Sequence, residues 1–245
     1  MTIAVIAIAG IFGLVFGSFV TALTYRLPRG ISIAHGRSGC PACGRVLEWR
    51  DLFPVLSWTI SGGRCRYCGA GISWRYPAIE LSSAALFAVT AGVMADNVSM
   101  FILLAMIPFL LALIIIDLEH GMMPNVLIVP LALLALIWRW RTGVAFFPDV
   151  ALGIGVAAVG FALQAFTGKG QSPPLIGGGD TKLLAIGALA FSLSHFFLFL
   201  TVVGLIGCVF GAAWQWVRKT KRFPFAPGLC MGLWVVAIVG DRLPF

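Results

Sequence analysis

Apolar residues in this chain run in long unbroken blocks, with neither the period-two alternation of a half-buried strand nor a one-sided helical stripe. Eight blocks stand out, at about 3–24, 78–95, 99–117, 124–138, 149–166, 182–194, 196–217 and 226–240. Crossing the hydrocarbon of a bilayer takes about 20 apolar residues in a helix, so these blocks predict membrane-spanning helices. The fourth and sixth are short for a crossing. Only Ser192, Ser194 and His195 mark the join between the sixth and the seventh. One long stretch, 25–77, breaks the pattern: it is polar, rich in arginine, and holds four of the six cysteines.

Composition agrees with the pattern. The chain has 245 residues, of which 60% are hydrophobic and only 11% charged, whereas a soluble domain carries about a quarter charged residues. Its mean hydropathy is +1.01. A net charge of +8 would suggest nucleic acid in a soluble protein; here the positive-inside rule accounts for it. With the N-terminus outside, the inner loops are 25–77, 117–124, 167–182 and 218–225. They collect 14 of the 17 Lys and Arg residues, leaving Arg139, Arg141 and Arg242 outside. The first block lacks a basic start and is followed by Arg26 and Arg29, which predicts a retained first helix and no cleaved signal. The run Arg218–Arg222 reads as an anchor beside anionic lipid.

Cys40-Pro-Ala-Cys43 and Cys65-Arg-Tyr-Cys68 form two C-x-x-C pairs 21 residues apart, each followed by glycine (Gly44, Gly69). Four thiolates suit a closed, tetrahedral, structural Zn²⁺ site. A metal would also supply what a segment of this size lacks in core. Two disulfides are the alternative, and a reducing cytosol opposes them. A thioredoxin-type redox pair would need a βαβ pattern that is missing here. Cys208 and Cys230 lie within apolar blocks and read as small buried hydrophobes.

Two aspartates sit at block edges, where a lone charge is costly. Asp117 closes the block ending LLALIII, and Asp180 follows Gly177-Gly178-Gly179. Under the charge-derived topology both emerge on the cytoplasmic side. Glycine lets backbone approach closely, so Asp180 could face Asp117 across a gap that fits one water. Such a pair shares a proton, one acid serving as general base and the other polarising a carbonyl. Asp is equally a good N-cap, and each could simply cap the helix that follows it. Lys182 could pair with either. Glu119 and His120 are further acid–base candidates in a solvated turn. Glu80, entering the second block, predicts a cavity, an arginine partner or snorkelling to the interface.

These motifs together resemble the bacterial prepilin peptidases, the type IV leader peptidase family of G-x-G-D intramembrane aspartic proteases. The resemblance runs through GLVFGSFVTALTYRLPRG (13–30), the two cysteine pairs, PVLSW (54–58), RYPAIELSS (75–83), IDLEHGMMPN (116–125), GGGDTKLLAIGA (177–188) and FPFAPGL (223–229). It covers nearly the whole chain. Family members often carry Asp where this chain has Glu119 and Asn125, which argues against an essential acid at those positions.

The resemblance implies an all-α polytopic membrane protein of about eight transmembrane helices, with a small cytoplasmic zinc-binding domain between helices 1 and 2. It divides the chain into a first transmembrane helix (1–24), a four-cysteine zinc-binding domain (25–77) and a membrane-embedded aspartic peptidase domain (78–245). Asp117 and Asp180 would be catalytic, Gly177 and Gly179 would support the catalytic loop, and Cys40, Cys43, Cys65 and Cys68 would hold structural zinc. Substrates would be type IV prepilins or type II secretion pseudopilins, each with a basic leader and an apolar helix, cleaved at the cytoplasmic edge of the bacterial inner membrane. Many such enzymes also N-methylate the new terminus with S-adenosylmethionine; the sequence shows no Gly-rich βαβ fingerprint for that donor. Membrane lipid is an expected partner and nucleic acid is not. Other readings are a scaffold or transporter with a partner-binding zinc loop, though no inverted repeat stands out, and a membrane methyltransferase lacking peptidase activity.

Overall fold

The computed structural model describes residues 2–33, 35–142, 146–167, 177–219 and 223–240. Lys169, Lys221, Arg222 and Arg242, which entered the charge count, lie outside the described residues. The chain forms two compact units, Met1–Ala95 and Asp96–Phe245.

In the first unit, α1 (Ile3–Arg26) packs along α3 (Arg75–Val93). Two apolar helices in lipid gain nothing from hiding apolar surface, so close backbone contact at small residues must hold them. Gly13 and Gly17, one turn apart, provide it. A Cβ at Gly13 would fall 2.7 Å from the Ala84 Cα, and one at Gly17 2.7 Å from the Glu80 Cα. Between these helices runs the polar segment, with a 3₁₀ turn at Trp49–Leu52 and a short helix α2 (Leu56–Ile60). Arg26 ties it down by donating to the carbonyls of Ser32, Gly36 and Arg37. Arg75 donates to the buried Thr24 hydroxyl at 2.8 Å. The described residues contain no regular strand, only the isolated bridges Gly39–Val46 and Arg64–Gly71.

The second unit consists of α4 (Asn97–His120), α5 (Asn125–Thr142), α6 (Phe146–Thr167), α7 (Gly178–Ala190), α8 (Leu193–Arg218) and α9 (Ala226–Val239). The eight blocks of the sequence therefore become α1 and α3 to α9. Five helices (α1, α3, α4, α5 and α8) are long and apolar enough to cross a membrane, and α9 is a shorter apolar helix. This is a multi-pass membrane protein. At 13 residues α7 is about 20 Å long, less than a bilayer's hydrocarbon thickness.

Among the boundaries that differ from the sequence expectation, two beside the aspartates have a local reason. Helix α4 continues past Asp117 to His120 and stops at Gly121, which takes the left-handed conformation (φ 63) and donates its N–H to the Asp117 carbonyl at 2.9 Å. Asp117 is thus inside a helix. Helix α7 starts at Gly178, ahead of the expected residue 182, with Gly177 as its extended N-cap. Gly178 and Gly179, read from the sequence as allowing close backbone approach, belong to its first turn. At the join of α7 and α8 the Ser192 hydroxyl lies 2.7 Å from His195 Nδ1, and His195 Nε2 lies 3.2 Å from the Gly240 carbonyl.

Candidate active site and metal centre

Asp117 is buried on α4, and its Oδ2 accepts the N–H of Ala226 at 3.2 Å. Ala226 is the first residue of α9, and Pro227 follows it. The first N–H groups of a helix have no partner within the helix, and proline brings none of its own. Asp117 fills part of that deficit, at the positive end of the α9 dipole. It is a cap, but of α9 and not of the helix that follows it in sequence.

Asp180 occupies the third position of α7, and its carboxylate turns back to the N-cap residue Gly177, whose backbone hydrogen-bonds it. This is the return half of a capping box. A Cβ at Gly177 would lie 2.9 Å from Asp180 Oδ2, and one at Gly179 would meet Met123 Sδ at 2.5 Å. Both glycines therefore leave room that a larger residue would occupy.

The two acids come together because α4 packs on α5 and α9, and both of those pack on α7. Asp117 and Asp180 lie close enough for the charge of one to act on the other, and both act on the buried Cys230 thiol of α9. Lys182 does not join them by any described contact; its Nζ donates to Asn125 Oδ1 at 2.7 Å, linking α7 to α5. Glu119 and His120 are exposed at the end of α4. Four participants went unnoticed in the sequence: the Ala226 amide, Met123, the Asn125–Lys182 link and Cys230. Only the Ala-Pro pair opening α9 hinted at one of them.

In the first unit the two cysteine pairs fold as near copies. The Cys40 N–H donates to the Arg45 carbonyl at 2.9 Å and Gly44 N–H to the Cys40 carbonyl at 2.8 Å. The second pair repeats this with Cys65 to Ala70 at 2.8 Å and Gly69 to Cys65 at 2.9 Å. Gly44 (φ 68) and Gly69 (φ 71) are left-handed, a conformation costly for other residues. All six cysteines are free thiols. The Sγ atoms of Cys40, Cys43, Cys65 and Cys68 all lie within 4.8 Å of one another. A tetrahedral zinc with Zn–S of about 2.3 Å would hold its sulfurs about 3.8 Å apart, and Cys40 Sγ to Cys68 Sγ is 3.8 Å. The donor set fits zinc. The Cys43 and Ala42 amides pull the Cys40 thiol down to about 7. For Cys68 the Ala70 amide pulls the same way, but burial and the three neighbouring thiols push it up to about 11.

Glu80 is buried on α3, and its Oε2 accepts the Val55 N–H at 2.7 Å; Ser18 of α1 hydrogen-bonds it too. Its partners are an amide and a hydroxyl, where an arginine was one expectation. The expectation for Cys208 is corrected: it is exposed on α8. In a helix apolar all round, sequence cannot tell a lipid-facing position from a packed one.

The Bacterial Peptidase A24 N-terminal domain matches residues 11–94, and the Type IV leader peptidase family matches residues 104–212. The chain is 33% identical to a prepilin leader peptidase/N-methyltransferase of Bacillus subtilis, covering 97% of this chain and 96% of that protein. It is 28% identical to a protein of the same name from Vibrio cholerae, covering 92% and 93%. A third of that name, from Myxococcus xanthus, is 33% identical over 84% of this chain, which spans only 59% of that longer protein. No solved structure matches. Identity along nearly the whole length of the Bacillus relative, with both matches in the same order, shows that the chain belongs to the type IV leader peptidase family.

Proposed function

We propose that this protein is an inner-membrane aspartic endopeptidase that removes the leader of type IV prepilins or type II secretion pseudopilins and N-methylates the new terminus. The observation that carries the reading is the approach of Asp117 and Asp180, from segments far apart in sequence, to within each other's electrostatic reach. Relatives that share the chain's organisation are named for leader peptidase and N-methyltransferase activities.

In the proposed mechanism Asp117 and Asp180 share one proton. The ionised partner takes a proton from a water placed between them, and that water attacks the scissile carbonyl. The protonated partner donates a hydrogen bond to the carbonyl oxygen and then returns a proton to the leaving amine. The Ala226 N–H holds one Asp117 oxygen, which leaves the other for this work. Gly177 and Gly179 support the loop by keeping the space beside Asp180 and Met123 open.

Structural zinc on Cys40, Cys43, Cys65 and Cys68 stabilises the polar segment, and the donor spacing supports it. The charge bias supports a cytoplasmic location for that segment and both aspartates, the depth at which a basic leader meets an apolar helix. The same bias supports lipid as the partner of the basic residues, without nucleic acid. S-Adenosylmethionine, when bound, would supply an electrophilic methyl group for the new terminal amine.

The test is incubation of the purified protein with a synthetic prepilin and S-adenosylmethionine, read by mass spectrometry. Cleavage at the leader junction with addition of one methyl is expected. An intact substrate, in the presence of detergent-folded enzyme, would refute the peptidase reading.

A further inference from the structure

The polar segment carries an outward apolar face that neither the aspartate pair nor the metal uses. Trp49 is 64% exposed, Phe53 49%, Leu56 60% and Ile60 81%. The Trp49 and Phe53 rings pack edge to face, their centroids 5.7 Å apart. Leu56 and Ile60 lie one turn apart on the same side of α2. Trp58, on the opposite side, turns inward and donates from Nε1 to the Ile72 carbonyl at 3.0 Å. That inner side also borders a cavity of about 580 Å³, whose lining includes Asp51, Trp58, Tyr76 and Glu80 but none of the four exposed residues. The outer face is thus separate from both cavity and core. A surface meant only for water rarely gathers bulky apolar groups in this way.

Connectivity decides what lies against the face. Both ends of the segment continue into the apolar helices α1 and α3. Val55, between Phe53 and Leu56 in the chain, donates its N–H to Glu80 Oε2 at 2.7 Å. Glu80 is the sixth residue of α3, about 8 Å along the helix from Arg75. There α3 is already apolar and turns Leu81 outward. The face is therefore pinned at the level where α3 enters hydrocarbon, not held away in water. Trp74, the N-cap of α3, is 73% exposed, and tryptophan gathers at membrane–water interfaces. Val55 itself has φ 62, an outlier for a β-branched residue. Such strain persists where the surroundings hold it, and the bond to Glu80 does so.

Charge selects the occupant. Residues 27–74 carry six arginines, all exposed, against two acids, Glu48 and Asp51. Asp51 already pairs with Arg66, whose Nε lies 3.4 Å from its Oδ1. The Arg50 guanidinium stands 5.3 Å from the Trp49 ring centroid, so a fork that matches phosphate geometry borders the apolar face. A basic leader is repelled by such a surface, whereas anionic phospholipid is drawn to it.

We infer that Trp49, Phe53, Leu56 and Ile60 dock into the bilayer interface, with the surrounding arginines on anionic phospholipid headgroups. The inference rests on the lipid reading above and deepens it, adding which side chains enter the bilayer.

The experiment uses the full-length, zinc-loaded protein in nanodiscs of phosphatidylcholine, with and without one part in about three of phosphatidylglycerol. Photoreactive benzoylphenylalanine is placed at position 53 or 60, a synthetic prepilin is added, and adducts are identified by mass spectrometry. Zinc content equal to wild type reports that each variant is folded. Phospholipid adducts at both positions are expected. Phosphatidylglycerol should exceed its share of the bilayer at least about twofold among them, and the excess should vanish in the double variant Arg50→Glu, Arg64→Glu. In the wild type, which needs no substitution, amide exchange across residues 49–60 should slow at least about threefold when phosphatidylglycerol is present. Adducts with the prepilin or with residues 96–245 in place of lipid overturn the docking. Absence of lipid adducts, with phosphatidylglycerol still co-purifying through Arg50 and Arg64, overturns the docking and leaves lipid as the partner of the basic residues. Lipid adducts without the excess, and exchange equal in both discs, overturn the headgroup assignment and the lipid reading of the arginines with it.

Discussion

The Asp117 carboxylate and the Ala226 amide, 109 residues apart, are joined by a 3.2 Å hydrogen bond. One oxygen of the acid is thereby fixed to the start of α9, which leaves the other for the catalytic role proposed above. Asp117→Asn and Asp180→Asn should each lower the rate of prepilin cleavage by at least about 10³-fold, the upper part of the range for losing an acid–base group. Zinc content and helicity should stay unchanged. Asp117→Ala should in addition leave the Ala226 N–H unpaired and lower stability by about 1–3 kcal/mol. Near-normal cleavage by either Asn variant, in a gel assay, would remove the aspartate pair from the mechanism.

Gly179 lies where a Cβ would meet Met123. Methionine is flexible and can yield to a single methyl group, so Gly179→Ala should keep much of its activity. Gly179→Val should lose most of it, and Met123→Ala should restore a good part in the double variant. A double variant no better than Gly179→Val alone would show that Met123 is not the obstacle.

If the four clustered thiols hold zinc, protein purified without chelator contains about one zinc per chain by atomic absorption. Strong chelators or Cys→Ser at any of the four positions should release it. Protease should then cut within residues 27–74 at far lower dose, while residues 96–245 stay resistant.

Gly17→Ala would put a methyl group 2.7 Å from the Glu80 backbone. Backbone cannot move aside as a side chain can, so the α1–α3 pair should lose about 1–3 kcal/mol. A thermal melt in detergent checks this. A melting temperature within a degree of wild type would mean the helices are not in close contact there.

Asp96 caps α4, accepting from the Ser99 side chain and from its amide, the latter at 2.8 Å; these bonds hold its carboxyl below the ordinary 3.8. Its folded value lies below its unfolded one. The stabilisation is therefore complete above the unfolded value and is lost as pH falls through the folded one. Asp96→Ala should melt below wild type at neutral pH, and the gap should close below about pH 4. A gap that persists at pH 3 would show that the cap does not depend on ionisation.

Much of the fold is visible in the sequence because membrane helices announce themselves by length and hydropathy. The cysteine geometry is equally legible, since each C-x-x-C-G fixes its turn locally through the amides of the next few residues. The start of α7 was obscured because three glycines argue against a helix, and only the return of Asp180 to Gly177 shows why one forms. The partner of Asp117 was invisible, because no local signal links position 117 to position 226. Cys208 and Cys230 look alike in sequence; packing around α9 buries one and leaves the other exposed. The cavity was foreseen only as one reading of Glu80, which lines it; Asp51, Trp58 and Tyr76 join that lining only when the polar segment folds up.

The close pairing of α1 and α3 at Gly13 and Gly17 also shapes how the polar segment folds. Its two ends leave the helix pair side by side, where Arg75 reaches Thr24, so the helices by themselves close the loop. The entropy of joining distant ends, which grows with the logarithm of loop length, is already met by the helices. What remains for the metal is the smaller task of ordering the middle. Metal loss should then unravel a tethered loop locally and reversibly, with both ends still in register for rebinding.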